Sequence, residues 1–242
     1  MRGRGNGRSF AMVFSMMAET PATAPETIPV FPLTGSLLLP GNLLPLNVFE
    51  PRYRNMVADA LAGEKRIGMI QPLVPRQDNW VDLAQQPENP ALYAVGCLGR
   101  IDECEQQPDG RYLLLLRGVC RFRVERELPL HRGYRRILAD CAEFRRDLDE
   151  LSVVLNPARL MRALRAFGEK NELEFDYDLL ASVPGISLLN GLSVALPFRP
   201  AEKQALLEAA DAAEREELLL ALMGMGFEPL STDEYYSPPM LN

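Results

Sequence analysis

The pattern of apolar and polar residues changes once along the chain. From Ile28 to about Arg146 it is mostly that of strands, and after Asp147 it is that of helices. Ile28–Leu33 predicts a strand cut by prolines, and Leu43–Val48 predicts a second. Pro51 then opens a helix at its first position. Its apolar residues Tyr53, Met56, Val57, Ala60 and Leu61 fall on one stripe, and Gly63 closes it. Arg66–Leu73 predicts a third strand. A polar loop from Pro75 to Pro90 follows and holds the only tryptophan, Trp80.

The clearest strand signal comes next. Tyr93–Glu105 and Arg111–Glu127 flank Gln106-Gln107-Pro108-Asp109-Gly110, whose residues suit a hairpin turn. Strict alternation puts Tyr112, Leu114, Leu116, Cys120, Phe122 and Val124 on a dry face. It puts Arg111, Arg117, Arg121, Arg123 and Glu125 on a wet one. Tyr134–Phe144 adds another strand. Long paired strands of this kind can curl into a small barrel, which removes exposed edges.

Beyond Asp147, Asn156 caps a helix that starts at Pro157, with Leu160, Met161, Leu164 and Phe167 as its stripe. Asp178–Val183 is a short segment ended by Pro184, and Ile186–Leu196 is ended by Pro197. Pro200 opens the next helix. Asp211 and Glu214 have the spacing of a capping box for the last one, with Leu218, Leu219, Leu222 and Met223 facing a core. Asp211 and Arg215 form a favourably oriented i, i+4 pair. Asn190, amid apolar neighbours, reads as a satisfied buried amide.

Composition narrows the function classes. With 242 residues and 47% hydrophobic content, a core needs neither metal nor disulfide. Net charge is −7, and residues 151–242 alone account for −7, so the chain lacks the basic field of a general nucleic-acid binder. Cys97, Cys104, Cys120 and Cys141 form no CxxC pair, and His131 is the only histidine. A Cys/His metal site is therefore unsupported, and reduced thiols in a cytoplasm are the simpler expectation. No cofactor is expected. Arg2, Arg4 and Arg8 before the apolar run Phe10–Ala18 imitate a signal peptide, but the run is short and the expectation is a disordered leader. No stretch approaches a membrane span.

Motifs for catalysis are absent. There is no GxxxxGK[ST] or GxSxG, and the glycine-rich Gly3–Gly7 stretch follows no strand. His131 sits in a loop between two strands, and Lys65, Lys170 and Lys203 have charged neighbours that imply solvation. The carboxylate clusters at Asp102–Glu105, Asp147–Glu150 and Glu172–Asp178 lack the pattern of a calcium loop and read as solvated loops or strand ends. The arginine face is the best binding candidate by pattern, with Arg121 and Arg123 at its centre and Arg135, Arg136, Arg145 and Arg146 near it. Pairing of those arginines with Asp102, Glu103 or Glu125 is the alternative.

Four ordered motifs carry a family resemblance. Val30–Met56 (VFPLTGSLLLPGNLLPLNVFEPRYRNM) resembles the opening signature of the Lon protease N-terminal domain. Ala94–Ile101 is similar to its VG-x-x-x-x-I strand, and Asp109-Gly110-Arg111 with Gly118–Val124 to its DGR…G-x-x-RF strand. Glu202–Glu208 with Glu214-Arg215 resembles its EKQ-x-LLE…R helix pair. One departure is Arg199, where the family often places a Ser or Thr cap before Pro200; a substitute acceptor is expected there.

The resemblance implies an α+β fold: an N-terminal PUA-like β-barrel with one inserted helix, then a C-terminal helical bundle. The expected divisions are a leader at 1–27, the barrel at 28–147, the bundle at 148–228 and a flexible tail at 229–242. It implies a non-enzymatic module that binds unfolded or partner polypeptides, similar to a stand-alone bacterial form without ATPase or protease domains. RNA binding through the arginine face is the alternative. Glu50, Arg52 and Tyr53 fix a strand-to-helix corner, with Glu50 offering an acceptor to the helix amides. They join Arg121 and Arg123 as candidate ligand or partner contacts.

Overall fold

The structure, a computed structural model, describes residues 25–73, 89–147, 155 and 157–225. Residues 1–24, Trp80, the Asn156 cap, Asp149, Glu150 and the tail from 229 lie outside the described residues, while Glu26 and Thr27, expected in the leader, already belong to a strand because they pair with Ala139 and Leu138. Six strands come first: β1 (Glu26–Pro32), β2 (Leu43–Val48), β3 (Arg66–Ile70), β4 (Val95–Gln106), β5 (Tyr112–His131) and β6 (Tyr134–Asp140). Helix α1 (Pro51–Ala62) is inserted between β2 and β3. Among the described residues, five helices follow the sheet: α2 (Pro157–Asn171), α3 (Tyr177–Ala181), α4 (Gly185–Ala195), α5 (Pro200–Glu208) and α6 (Ala212–Met225). The mixed α+β order expected from the pattern is therefore present.

The strands lie in the order β2-β5-β4-β3-β1-β6, and β6 also pairs with β5. Only β1 and β3 run parallel; α1 is the crossover between the β2 corner and β3. Strand β5 is long enough, at 20 residues, to hold three partners: β2, β4 and β6. It bends through irregularities. Between the pairs Leu98↔Cys120 and Gly99↔Gly118, Val119 is an extra residue on β5. Between Ile101↔Leu116 and Glu103↔Leu115, Asp102 is an extra residue on β4. Such bulges kink a strand and raise its twist.

The Val119 bulge corrects the strict alternation expected along β5. One inserted residue exchanges the two faces beyond it. Leu114 and Leu116 pack in a core shared with the helices, while Cys120 and Phe122 pack in a second core with Ile28, Val30, Leu98 and Ile137. Arg121 thereby turns to the helix side and is 1% exposed, where a wet position was expected.

The shared core joins Phe31, Met56, Ile67 and Leu116 of the sheet region to Leu160, Leu164, Leu189, Leu206 and Leu219 of the helices. The predicted α2 stripe of Leu160, Met161, Leu164 and Phe167 is buried. Helix α1 buries Tyr53, Met56, Val57 and Ala60, but Gly63 does not take a left-handed conformation (φ −112°). Lys65 does, at φ 58°. The expected third strand stops at Ile70, and the last one gives way to a 3-10 turn at Ala142–Phe144. Glu202 Oε2 accepts from the Arg199 backbone N–H at 2.7 Å, which serves the residue before the helix and is not the acceptor expected for the helix amides. Asp211 caps α6 by accepting from Glu214 N at 2.9 Å. Arg215, expected to pair with Asp211 on the surface, turns inward and is 1% exposed.

Candidate functional site

An open cleft of about 250 Å³ lies where the sheet meets the helices. Pro40 to Leu43 line one side, and Ile186, Ser187 and Asn190 of α4 line the other. The first side is shaped by a glycine. Gly41 has φ +81°, its N–H donates to Gly118 O, and Gly118 N–H donates to Asn42 O, both at 2.9 Å. Two residues of one strand opposite one of the other, with glycine first and left-handed, is a G1 bulge, which re-aims the chain as it enters β2. Gly118 completes the fit, because a Cβ there would stand 2.1 Å from Leu39 O.

Asn190 sets the floor. Its Nδ2 donates to Pro40 O at 3.4 Å, and its Oδ1 accepts from Arg215 Nη1 at 3.2 Å. Arg215 Nε donates to Leu206 O at 3.0 Å. The buried amide expected from the sequence is thus satisfied, and it ties the strand-entry loop to α4 and α6. Leu43, 43% exposed, and exposed Ser187 stand on the rim. No charged side chain lines the cleft.

The candidate arginines are placed differently. Arg121 contacts Asp147 Oδ1 at 2.6 Å and donates to Leu207 O at 3.0 Å and to Ala209 O. Its guanidinium also lies 4.8 Å from the Phe144 ring centroid. It is a buried clasp between β5 and the end of α5. Arg123 is exposed and makes a two-pronged ion pair with Glu143, at 2.6 Å on each arm. That pairing holds the Glu143 carboxyl below its ordinary range. Arg117 and Arg100 both engage Asp102, as the pairing alternative expected, and Arg135 engages Glu127 at 2.7 Å.

Glu50, Arg52 and Tyr53 come together at the β2–α1 corner. The Glu50 backbone carbonyl accepts from Tyr53 N and Arg54 N, at 3.0 and 2.9 Å. Its side chain does not cap the helix, contrary to expectation, and instead accepts from Arg52 Nε at 2.9 Å. Arg52 stacks 4.7 Å from the Tyr53 ring centroid, and Tyr53 tilts against Phe31 at 4.4 Å. Burial pushes the Tyr53 hydroxyl above its usual pKa, with Arg52 opposing. The corner lies apart from the cleft lining.

Lys203 is not solvated as expected: its ammonium donates to Val194 O at 3.0 Å, and burial lowers its pKa. His131 is exposed, 3.7 Å from Asp59. All four cysteines are free thiols, and burial raises Cys97 well above the normal thiol range. Among the described residues, no group of three or more His, Cys, Asp or Glu could hold a metal ion, and no helix is long and apolar enough to cross a membrane.

Sequence patterning missed a second polar bridge between sheet and helices. Gln71 Nε2 donates to Pro200 O at 3.0 Å and to Gln204 Oε1 at 3.1 Å, and Gln204 Nε2 donates to Val95 O at 3.1 Å. Each glutamine is 2% exposed. The only prior signal was the placement of Gln204 within the Glu202–Glu208 motif.

Comparison with known proteins agrees with this architecture. Lon protease 2 of Sorangium cellulosum is 31% identical over 219 residues, covering 87% of this chain and 26% of that protein. Lon protease 2 of Myxococcus xanthus is 28% identical over 204 residues, covering 82% and 24%. The chain thus spans about a quarter of the length of the curated relatives it matches. A crystal structure of a Lon N-terminal domain protein from Xanthomonas campestris superposes with a TM-score of 0.54 at 26% identity, over 81% of this chain and 98% of that one. The N-terminal domain of a Mycobacterium avium complex Lon protease shares the fold at a TM-score of 0.57 and 18% identity, over 82% of this chain and 98% of that one. Residues 27–224 match the ATP-dependent protease La (LON) substrate-binding domain, and the chain belongs to that family.

Proposed function

We propose that this protein is a non-enzymatic module that binds polypeptides, taking exposed apolar segments of client proteins at the junction of sheet and helices. The observation that carries this is the uncharged cleft between Pro40–Leu43 and α4, rimmed by exposed Leu43. Apolar surface of this sort gains free energy by covering, and it does so without selecting one sequence. Membership in a family of substrate-binding domains points the same way.

The supporting frame is a PUA-like barrel at about 28–147 and a bundle at 148–228. Pairing of β5 with both β4 and β6 supports the barrel, because the ladder β5-β4-β3-β1-β6 returns to β5. A cytoplasmic location accords with the four free thiols. RNA binding has no observation in its favour, since Arg121 is buried against Asp147 and Arg123 is held by Glu143.

A titration with a permanently unfolded protein, reduced and carboxymethylated, tests the proposal. Binding at micromolar concentration with little dependence on salt is the expected result. No binding, or a steep salt dependence, overturns it.

A further inference from the structure

Strand β2 stands at the end of the sheet order and, among the described residues, pairs only with β5. The direction of its backbone groups follows from the bulge. Asn42 O faces β5, where it accepts from Gly118 N. Backbone direction alternates along a strand, so Leu44, Leu46 and Val48 exchange their bonds with β5 opposite Leu116, Leu114 and Tyr112. Leu43, Pro45 and Asn47 therefore direct their backbone groups away from the sheet. Pro45 fits this assignment, because proline is tolerated in a strand where its missing N–H would face outward. Among the described residues, no strand other than β5 pairs with β2.

The free edge thus offers two donors, from Leu43 and Asn47, and three acceptors, from Leu43, Pro45 and Asn47. Only another extended backbone matches such a row. The edge runs into the cleft at Leu43 and ends beside Phe49, and these two side chains are 43% and 50% exposed. They are six residues apart, so roughly 20 Å of strand separates them. Neither β2 nor the cleft carries a charged side chain. The occupant is therefore an extended, uncharged polypeptide with apolar side chains at both ends.

We infer that client segments bind by adding a strand to the outer edge of β2, with one apolar side chain in the cleft beside Leu43. This rests on the polypeptide-binding function proposed above. Pro45 limits the added strand to two full rungs, which keeps the contact reversible and opposes open-ended pairing between copies.

Hydrogen exchange read by NMR on the whole chain tests the inference. The probe is a synthetic peptide of about nine alternating valines and threonines. It is expected to bind and to slow exchange at the Leu43 and Asn47 amides by about tenfold or more, leaving Leu44 and Leu46 unchanged. Methylating alternate peptide nitrogens along one edge should abolish binding, and along the other edge should not. Asn47→Pro removes an outward N–H and no β5 bond, so it should weaken the peptide by roughly tenfold. If the peptide and the unfolded protein bind but these two amides exchange as before, the strand-addition inference fails alone. If neither binds, the polypeptide-binding function fails with it. Slowing that grows with protein concentration, without peptide, would assign the edge to a second copy and overturn the inference.

Discussion

Arg121 and Asp147 face each other at 2.6 Å with side chains 2% and 0% exposed. The guanidinium also takes the carbonyls of Leu207 and Ala209, so one residue of β5 caps the end of α5. Removing one partner leaves a buried charge unpaired, which costs about 3–5 kcal/mol. Asp147→Ala and Arg121→Met should each lower the unfolding free energy, read by urea titration, by that much. The double variant Arg121→Met with Asp147→Leu should cost clearly less than the two together, because no lone charge remains. Equal and additive losses would show that the pair does not act as a unit.

Arg123→Ala gives the contrasting case. Its pair with Glu143 is about half exposed on both sides. Exposed pairs contribute about 0–1 kcal/mol, and salt screens them. The variant should unfold within about 1 kcal/mol of the parent, and a larger drop in urea would mean that Arg123 does more than decorate the surface.

Gly118→Ala should be among the most damaging small substitutions. The new Cβ meets backbone, Leu39 O at 2.1 Å and Leu39 C at 2.7 Å, and the bulge that seats Gly41 cannot give way. A loss of about 3 kcal/mol or more is expected by urea unfolding, with the Leu43 rim displaced. Gly191→Ala in α4 is the control, since nothing lies within 4 Å of its Cβ. It should gain about 0.5–1 kcal/mol through helix propensity.

Alkaline stability should depend on Tyr134. Burial, followed by its hydrogen bond to Asp59 at 2.9 Å, raises its hydroxyl from 10.0 to about 12. The unfolded chain then loses this proton at lower pH than the folded one. The contribution is complete below pH 10.0 and is lost as pH rises through about 12. Urea midpoints should fall across that window by an amount worth roughly 2 kcal/mol, and Tyr134→Phe should flatten this slope. An unchanged slope in the variant would assign the alkaline loss to another group.

Client binding should respond to Leu43 and not to Arg123. Leu43→Asp places a charge on the uncharged rim and should weaken an unfolded client by about tenfold, while Arg123→Ala leaves it unchanged. The reverse order, read by fluorescence anisotropy, would move the binding surface to the arginine side.

The order of elements, the β2–α1 corner, the helix stripes and the family were legible in the residues. Each depends on neighbours a few positions apart: Pro51 at a helix start, Leu160 to Phe167 on one stripe, Asn190 amid apolar residues. The fate of Arg121 and Arg215 was not. A local pattern treats arginine as a solvated charge, and only the Val119 bulge and the closeness of Asp147, Leu206 and Asn190 show these two buried among acceptors. The same holds for the cleft and the free edge of β2. Periodicity predicts that Leu43–Val48 is a strand, but which of its edges lacks a partner depends on chain segments more than sixty residues away. Short-range pattern therefore determined which elements this protein is made of, and long-range pairing decided which side chains are buried and which strand stands at the edge of the sheet.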